Sequence, residues 1–510
     1  MSGNTIILAE LNDDVLGHIL QWLPVRALLS LSMSCRWLRE ACMHLLFGRS
    51  SLLVYGPGQV ERSEDFLPAS LRPYVHSMVF CDECFDQSYC DLDPTTDGGI
   101  PLRLDFTDDP MLCGAFPAAL LAERLREIPR LRSLTLYKSN TATHGLPWGT
   151  LRVILSEPRL RELKLRDFLF CPVLRSGEEL DVGFVAPLTT FQYVLYHPRD
   201  PWTFPSEMTA LAFVLGKLCE TLETLILSSE PAPPSTLSRF RWPRLRKLVY
   251  YGTPWNSLAK PFVSLCSGMQ GLRCLSLKLS PPPDTTPQLL WPPDHTGSFP
   301  WPELERLVIS YPRADDDIYS HLPSSLRALS LRCWEHVCDQ QWSWGYGFTY
   351  PPNYDSILRS STLLSVLRQC KSLNLDHLEI EYIADETDDA LLQYIATTFP
   401  RLTSLKMHRH RSESEESDIS VAHIAHELAP LSHLRRLKMS LDFESTPRPV
   451  RAYNQVLHPS AHFINTSMDT IRNAAATIAR VLGPSLRVVI LWGGRPTWHA
   501  FDIVSGRAYE

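Results

Sequence analysis

Two hydrophobic periodicities divide the chain. Over residues 11–47, LNDDVLGHILQWLPVRALLSLSMSCRWLREACMHLLF, apolar residues recur at helical spacing. Val15, Leu16, Ile19, Leu20 and Leu23 form one set, Leu28, Leu31 and Met33 a second, and Cys35, Leu38, Cys42 and Leu45 a third. Asn12, Asp13 and Asp14 offer a cap and negative charge to a helix start. Pro24 stops the first helix. The pattern predicts three short helices. A segment below about 40 residues seldom holds a stable core alone, so their apolar surface needs something outside the trio to pack against.

Further on, L-x-x-L-x-L takes over. It starts at Leu131, Leu160, Leu222, Leu245, Leu272, Leu304, Leu326, Leu375, Leu402, Leu434 and Leu486, with weaker copies at Phe191 (FQYVLY) and Val75 (VHSMVF). Simple gaps run from 22 to 32 residues. In L-x-L both apolar side chains leave the same side of a strand. The earlier Leu enters from the preceding turn. One strand of this length cannot bury its apolar side, whereas stacked copies bury it continuously. Pro129, Pro158, Pro243, Pro302, Pro400 and Pro484 each stand two residues before a first Leu. Helices tend to end before Pro. Each unit therefore reads as a helix or irregular arm, a Pro stop and a strand, with the clearest helices at 120–129 and 471–484.

The N-terminal segment resembles an F-box, the motif that docks substrate receptors onto the Skp adaptor of cullin–RING ubiquitin ligases. The matching residues are Leu11, Asp13, Asp14, Val15, Leu16, Ile19, Leu20, Leu23, Pro24, Leu28, Leu31, Ser34, Cys35, Arg36, Trp37 and Leu38. The family usually opens with Leu-Pro; here the pair is Leu11-Asn12. The remainder resembles divergent leucine-rich repeats, with the Asn that normally follows the strand mostly missing. Together they resemble the expanded F-box families of filamentous and mushroom-forming fungi. The resemblance implies an α/β fold: a three-helix F-box at 1–50, a connecting segment with first irregular repeats at 51–125, a repeat horseshoe at 126–492 and a capping tail at 493–510. Insertions are expected at 281–302, 333–354, 408–418 and 442–470. Adaptor docking falls to Leu11, Val15, Leu16, Ile19, Leu20, Leu23, Pro24, Leu28, Leu31, Cys35 and Leu38.

Composition narrows the function classes. The 510 residues are 44% hydrophobic and 21% charged with a net charge of −7, which gives no sign of a nucleic-acid binder. No apolar run is long enough to span a bilayer. The N-terminus carries no secretory pattern and the 13 Cys are scattered, so the expectation is a cytoplasmic or nuclear protein with free thiols. The 41 Pro against 23 Gly fit many short elements with sharp stops.

Strand parity assigns the residues between the buried leucines to the inner curve. In the twelve strands from Leu131 onward these positions hold nine Lys or Arg, among them Arg166, Lys278 and Arg332, against Glu162, Glu379 and Glu381. They read either as a basic face for a client protein carrying an acidic or phosphorylated segment or as cations that keep an exposed sheet soluble and block edge pairing. Tyr137, Arg166, Tyr251, Lys278, Arg332, His408 and Trp492 are the candidate contacts of such a face. Residues 334–354 are rich in Trp and Tyr and read either as a second site or as a loop packed on the solenoid. Ser412, Ser414 and Ser417 lie among acidic residues and read either as a plain solvated loop or as sites for acid-directed kinases.

Catalytic signatures are missing: no Walker loop, GxSxG elbow, HExxH or paired-carboxylate arrangement is found. Cys81, Cys84 and Cys90, with His76 nearby, offer one CxxC pair, whereas a zinc site needs four ligands. The expectation is loop thiols, no metal, no cofactor and no enzyme. The resemblance implies a receptor in a Skp–cullin ligase; a non-ligase scaffold is the alternative.

Overall fold

All thirteen repeat copies fall on β-strands. The computed structural model describes residues 11–61, 66–84, 106–107, 109, 111–138, 144–195, 204–255, 258–279, 288–333, 357–370, 373–411, 420–441, 443, 461–492 and 498–510. The chain divides into two compact units. One comprises Met1–Val194 with Thr203–Leu222, the other Leu195–Trp202 with Glu223–Glu510.

In the first unit α1 (Asp13–Gln21), α2 (Val25–Ser34) and α3 (Arg36–Phe47) lead straight into β1 (Arg49–Val54). Asn12 caps α1 by accepting from the Asp14 N–H at 3.0 Å. Cys35 is extended and both ends α2 and begins α3, its Sγ accepting from the Leu38 N–H at 3.4 Å. The further strands are β2 (Ser77–Asp82), β3 (Ser133–Lys138), β4 (Gly145–Leu146), β5 (Glu162–Arg166), β6 (Leu169–Phe170) and β7 (Thr190–Val194). β1, β2, β3, β5 and β7 pair in that order, all parallel. β4 and β6 make a separate two-stranded parallel sheet. β1 carries no leucine repeat and is an addition to the sequence expectation.

The second unit continues the repeat in β8 (Thr224–Ser228), β9 (Lys247–Gly252), β10 (Cys274–Leu279), β11 (Arg306–Ile309), β12 (Ala328–Leu331), β13 (His377–Ile383), β14 (Ser404–His410), β15 (Arg436–Leu441) and β16 (Val488–Trp492). Each pairs in parallel with the next. The register stacks Leu225, Leu248, Leu275, Leu307, Leu329, Leu378, Leu405, Leu437 and Val489 into one row, every member buried. The first Leu of each copy is buried as well. The residue after it offers one carbonyl to two successive N–H groups of the next repeat. Glu223 accepts from Arg246 and Lys247, Arg246 from Arg273 and Cys274, and so on to Arg435, which accepts from Arg487 and Val488. One parallel strand per repeat, buried leucine rows and this carbonyl ladder make a leucine-rich-repeat-like fold.

The connections fit the Pro stops. Helix Ala118–Arg126 ends before Pro129, Trp148–Leu155 before Pro158 and Asp388–Thr398 before Pro400. Helix Ala461–Leu482 begins ten residues before the expected 471, so the segment read as an insertion at 442–470 contains its first half. The described part of 281–302 is anchored by two tryptophans, with Pro293, Asp294, Thr296, Gly297 and Ser298 exposed between them. Trp291 and Trp301 are buried there, their Nε1–H groups donating to the His295 and Cys266 carbonyls at 3.2 Å. Residues 334–354, Ser412, Ser414, Ser417 and Cys90 lie outside the described residues. Beyond β16, β17 (Trp498–Val504) and β18 (Arg507–Tyr509) turn back as an antiparallel hairpin. No described helix is long and apolar enough to cross a membrane.

Candidate interaction surfaces and a buried polar cluster

The helical trio has a core of its own, contrary to the sequence expectation. Leu16, Leu20, Leu28 and Cys42 are its buried centre, with Leu11, Leu23, Leu31, Ala41, Leu45 and Leu46 packed around them. Leu16, Leu20 and Leu28 were assigned to adaptor docking and cannot be reached there, being at most 5% exposed. A helix with two apolar stripes spends one on its neighbours, which the 3–4 spacing alone does not reveal.

The second stripe remains outside. Val15, Ile19, Trp22, Val25, Leu29, Met33 and Trp37 are all exposed, Trp22 at 80% and Met33 at 73%. Val15 and Ile19 were among the assigned residues; Trp22, Val25, Leu29 and Met33 were missed as docking candidates. Pro24 and Cys35 are also exposed, and Leu38 is half-buried. Soluble chains seldom leave such a group of large apolar side chains on one small body.

On the sheets the expected alternation holds best at strand starts. In β3 and β5 the positions Ser133, Thr135, Tyr137, Glu162, Lys164 and Arg166 are half-buried, and the leucines between them are buried. Tyr137 and Arg166 are register neighbours. A hydrogen bond with Cys81, reinforced by burial, pushes the Tyr137 hydroxyl up to about 12. In the second unit Tyr251 and Lys278 are likewise neighbours, the ammonium 3.2 Å from the phenol oxygen and over its ring.

Two candidate contacts fail as an open surface. Arg332 is 1% exposed and ion-paired to Glu379, which also holds Lys406 at 2.8 Å and accepts from Ser330 at 2.6 Å. His408 is 2% exposed and meets the Trp498 ring edge-on. Glu162 likewise engages Lys164 at 3.1 Å. The basic excess therefore includes cations that neutralise glutamates on the same sheet. Lys247, Arg306 and Arg436, at strand starts, remain exposed. Trp498, unseen in the sequence reading, lies under Lys438 at 3.5 Å and near Lys406. Trp492 is in β16 and its side chain lies outside the described residues.

A third feature is a buried polar cluster in the first unit. Asp82 ends β2, and Cys84 follows two residues later, its N–H donating to Asp82 Oδ1 at 3.0 Å. Lys138 ends β3 in register with Asp82. Cys113 and His144 come from separate segments joined by short backbone bonds. Cys113 donates its N–H to the Gly145 carbonyl at 2.7 Å, and Gly145 donates to the Met111 carbonyl at 2.8 Å. Position 145 has to be Gly, because a Cβ there would lie 2.2 Å from the Pro172 ring. His144 stacks on Phe168 at 6.0 Å. All five side chains are buried. Burial by itself would raise the Asp82 carboxyl; the His144 hydrogen bond and the Lys138 charge outweigh it and hold the group at about 2. Donation from Cys113 brings the Cys84 thiol down to about 6 against the opposing effect of burial, whereas burial drives Cys113 up. Neither Cys81 nor His76 takes part: His76 sits against Gly48, and Cys81 donates to Glu83 at 3.7 Å.

No protein-family model matches the chain, and no curated protein matches it. Among solved structures it resembles a TLR13–ssRNA13 complex, at 13% identity and a TM-score of 0.31, over 78% of this chain and 44% of that one. It also resembles the leucine-rich-repeat-containing protein LegL7 from Legionella pneumophila, at 11% identity and a TM-score of 0.30, over 87% of this chain and 90% of that one. The chain thus spans less than half the length of the TLR13 chain. The repeat assignment rests on the leucine rows and carbonyl ladder of the chain itself.

Proposed function

We propose that this chain is the substrate-recognition subunit of a Skp–cullin–F-box ubiquitin ligase. The observation that carries the reading is the exposed stripe Val15, Ile19, Trp22, Val25, Leu29 and Met33 on helices that already own a core. A trio that needs no help to bury Leu16 and Leu20 still presents a hydrophobic face, and an adaptor helix would cover it. The repeat sheets hold the client, and the exposed Lys247, Arg306 and Arg436 favour an acidic or phosphorylated segment. Ubiquitin transfer belongs to other subunits; this receptor contributes proximity. It works in the cytoplasm or nucleus, where the adaptor resides.

The test is affinity purification of wild type against Trp22→Asp and Ile19→Asp. Both residues are exposed, so the trio should stay folded, whereas Leu20→Asp would break its core. Adaptor and cullin should disappear from both variants while clients stay. A folded wild type that captures no Skp adaptor refutes the proposal. Adaptor capture without cullin favours the scaffold reading. Lys247→Glu with Arg306→Glu and Arg436→Glu should release an acidic client and leave the adaptor bound.

A further inference from the structure

The buried cluster at the ends of β2 and β3 has the composition and spacing of a metal centre. One ligand atom each from Asp82, Cys84, Cys113 and His144 lies within 4.8 Å of every other. Cys84 Sγ is 3.4 Å from His144 Nε2 and 3.6 Å from Asp82 Oδ2, and Cys113 Sγ is 3.7 Å from the same oxygen. A tetrahedron with zinc–sulfur bonds of about 2.3 Å and zinc–nitrogen or zinc–oxygen bonds of about 2.0 Å has edges of roughly 3.3–3.8 Å. These three edges fall in that range.

The remaining contacts are hard to satisfy by hydrogen bonding. His144 Nε2 lies 2.7 Å from the Asp82 carboxylate and also 2.7 Å from the Lys138 ammonium. The first contact needs a proton on the nitrogen, the second a lone pair, and an imidazole nitrogen has one or the other. A cation seated among the four donors resolves the conflict, because nitrogen and oxygen then both face the ion and their separation opens from 2.7 Å to the tetrahedral edge of about 3.3 Å.

We propose that Asp82, Cys84, Cys113 and His144 bind a structural Zn²⁺. Two thiolates, one carboxylate and a neutral imidazole leave a divalent ion with a net charge of −1. Lys138 restores neutrality from the outer shell, where its Nζ lies 3.5 Å from Asp82 Oδ2 and 3.9 Å from Cys84 Sγ. With the imidazole lone pair occupied, the ammonium donates to those atoms instead. Four protein ligands and full burial leave no open position for water or substrate, so the ion serves architecture rather than catalysis. It ties the end of β2 to the segments carrying Cys113 and His144, which lie about 30 and about 60 residues further along the chain. The inference is independent of adaptor docking.

The test is metal analysis of the full-length protein purified from zinc-supplied cells without chelator, followed by Co²⁺ exchange. Wild type should carry stoichiometric zinc and, with cobalt, show the visible bands of a tetrahedral site with thiolate charge transfer. Cys84→Ser and Cys113→Ser should lose both signals. Lys138→Met should keep the metal with affinity lowered by about 10- to 100-fold, the cost of losing an outer-shell partner. If a serine variant does not fold, the wild-type zinc content and cobalt spectrum still decide. Wild type without zinc and without a thiolate–cobalt band overturns the proposal. So does zinc that survives the double Cys84→Ser, Cys113→Ser variant.

Discussion

The helical trio and the repeat sheet of the second unit use leucine in opposite ways. In the sheet, the row from Leu225 to Val489 is buried from strand to strand, each inner member flanked by the copies before and after it. In α1–α3 the buried centre is four residues, and larger side chains such as Trp22 and Met33 lie outside. Periodicity supplies neighbours without limit in one region, whereas three short helices run out of them. Apolar surface left over where stacking cannot reach it is what the proposed docking face is made of.

That contrast can be broken by substitution. Leu405→Ala in the sheet should destabilise the protein by about 3–5 kcal/mol, since the cavity opens inside a continuous row. Leu29→Ala in the trio should shift stability by less than about 0.5 kcal/mol. Equal losses measured by denaturant unfolding would erase the distinction. Glu379→Ala comes next. It removes the carboxylate that pairs with the buried Arg332 and should cost about 3 kcal/mol, which a Glu379→Ala, Arg332→Met double variant should largely recover. Trp22→Ala should leave the unfolding midpoint nearly unchanged and weaken adaptor binding by about 2 kcal/mol, roughly 30-fold, by calorimetry.

The smallest effect concerns a turn within the repeats. Burial opposes ionisation of Asp385, yet hydrogen bonds from Ser360, Ser361 and Thr387 outweigh it and lower its folded pKa. A depressed folded value means stability that is fully present above the unfolded carboxylate value and is lost progressively as pH falls from there through the folded one. Asp385→Asn should therefore cost about 1 kcal/mol near neutral pH, discounted because the group is partly exposed. The gap from wild type should close below about pH 4. A gap that stays constant with pH would assign the effect to packing.

The strands were legible because each copy states its own geometry: a first Leu in the turn, then two on one face. β1 was not, because RSSLLV lacks that spacing and is held by its register with β2 and by the Gly48 carbonyl, which accepts from His76 and Ser77. The trio's elements were readable from Asn12 and Pro24, but the two apolar stripes of each helix were not separable. Arg332 carries inner-face parity and is nonetheless covered: the repeat register places Glu379 on the adjoining strand, and parity alone does not reveal that the two side chains pair with each other instead of facing a ligand. The polar cluster was misread through CxxC spacing. Alternation along an extended chain puts Asp82, not Cys81, on the side of Cys84, and that signal was available. Cys113 and His144 arrive from distant segments, and nothing local announces them.

The hairpin that follows β16 bears on how the protein behaves in a crowded solution. A ladder of parallel strands ordinarily ends in a row of open amides and carbonyls on which a neighbouring chain can template itself. Here β16, the last parallel strand of the row, is answered by β17 in reverse direction, and the described strand beyond it is Arg507–Tyr509. Arg472 of helix Ala461–Leu482 reaches Glu510 at 2.9 Å. With a reversed strand paired along it, β16 gives its amides and carbonyls to β17 instead of to a neighbouring chain, and templated growth on that strand is discouraged.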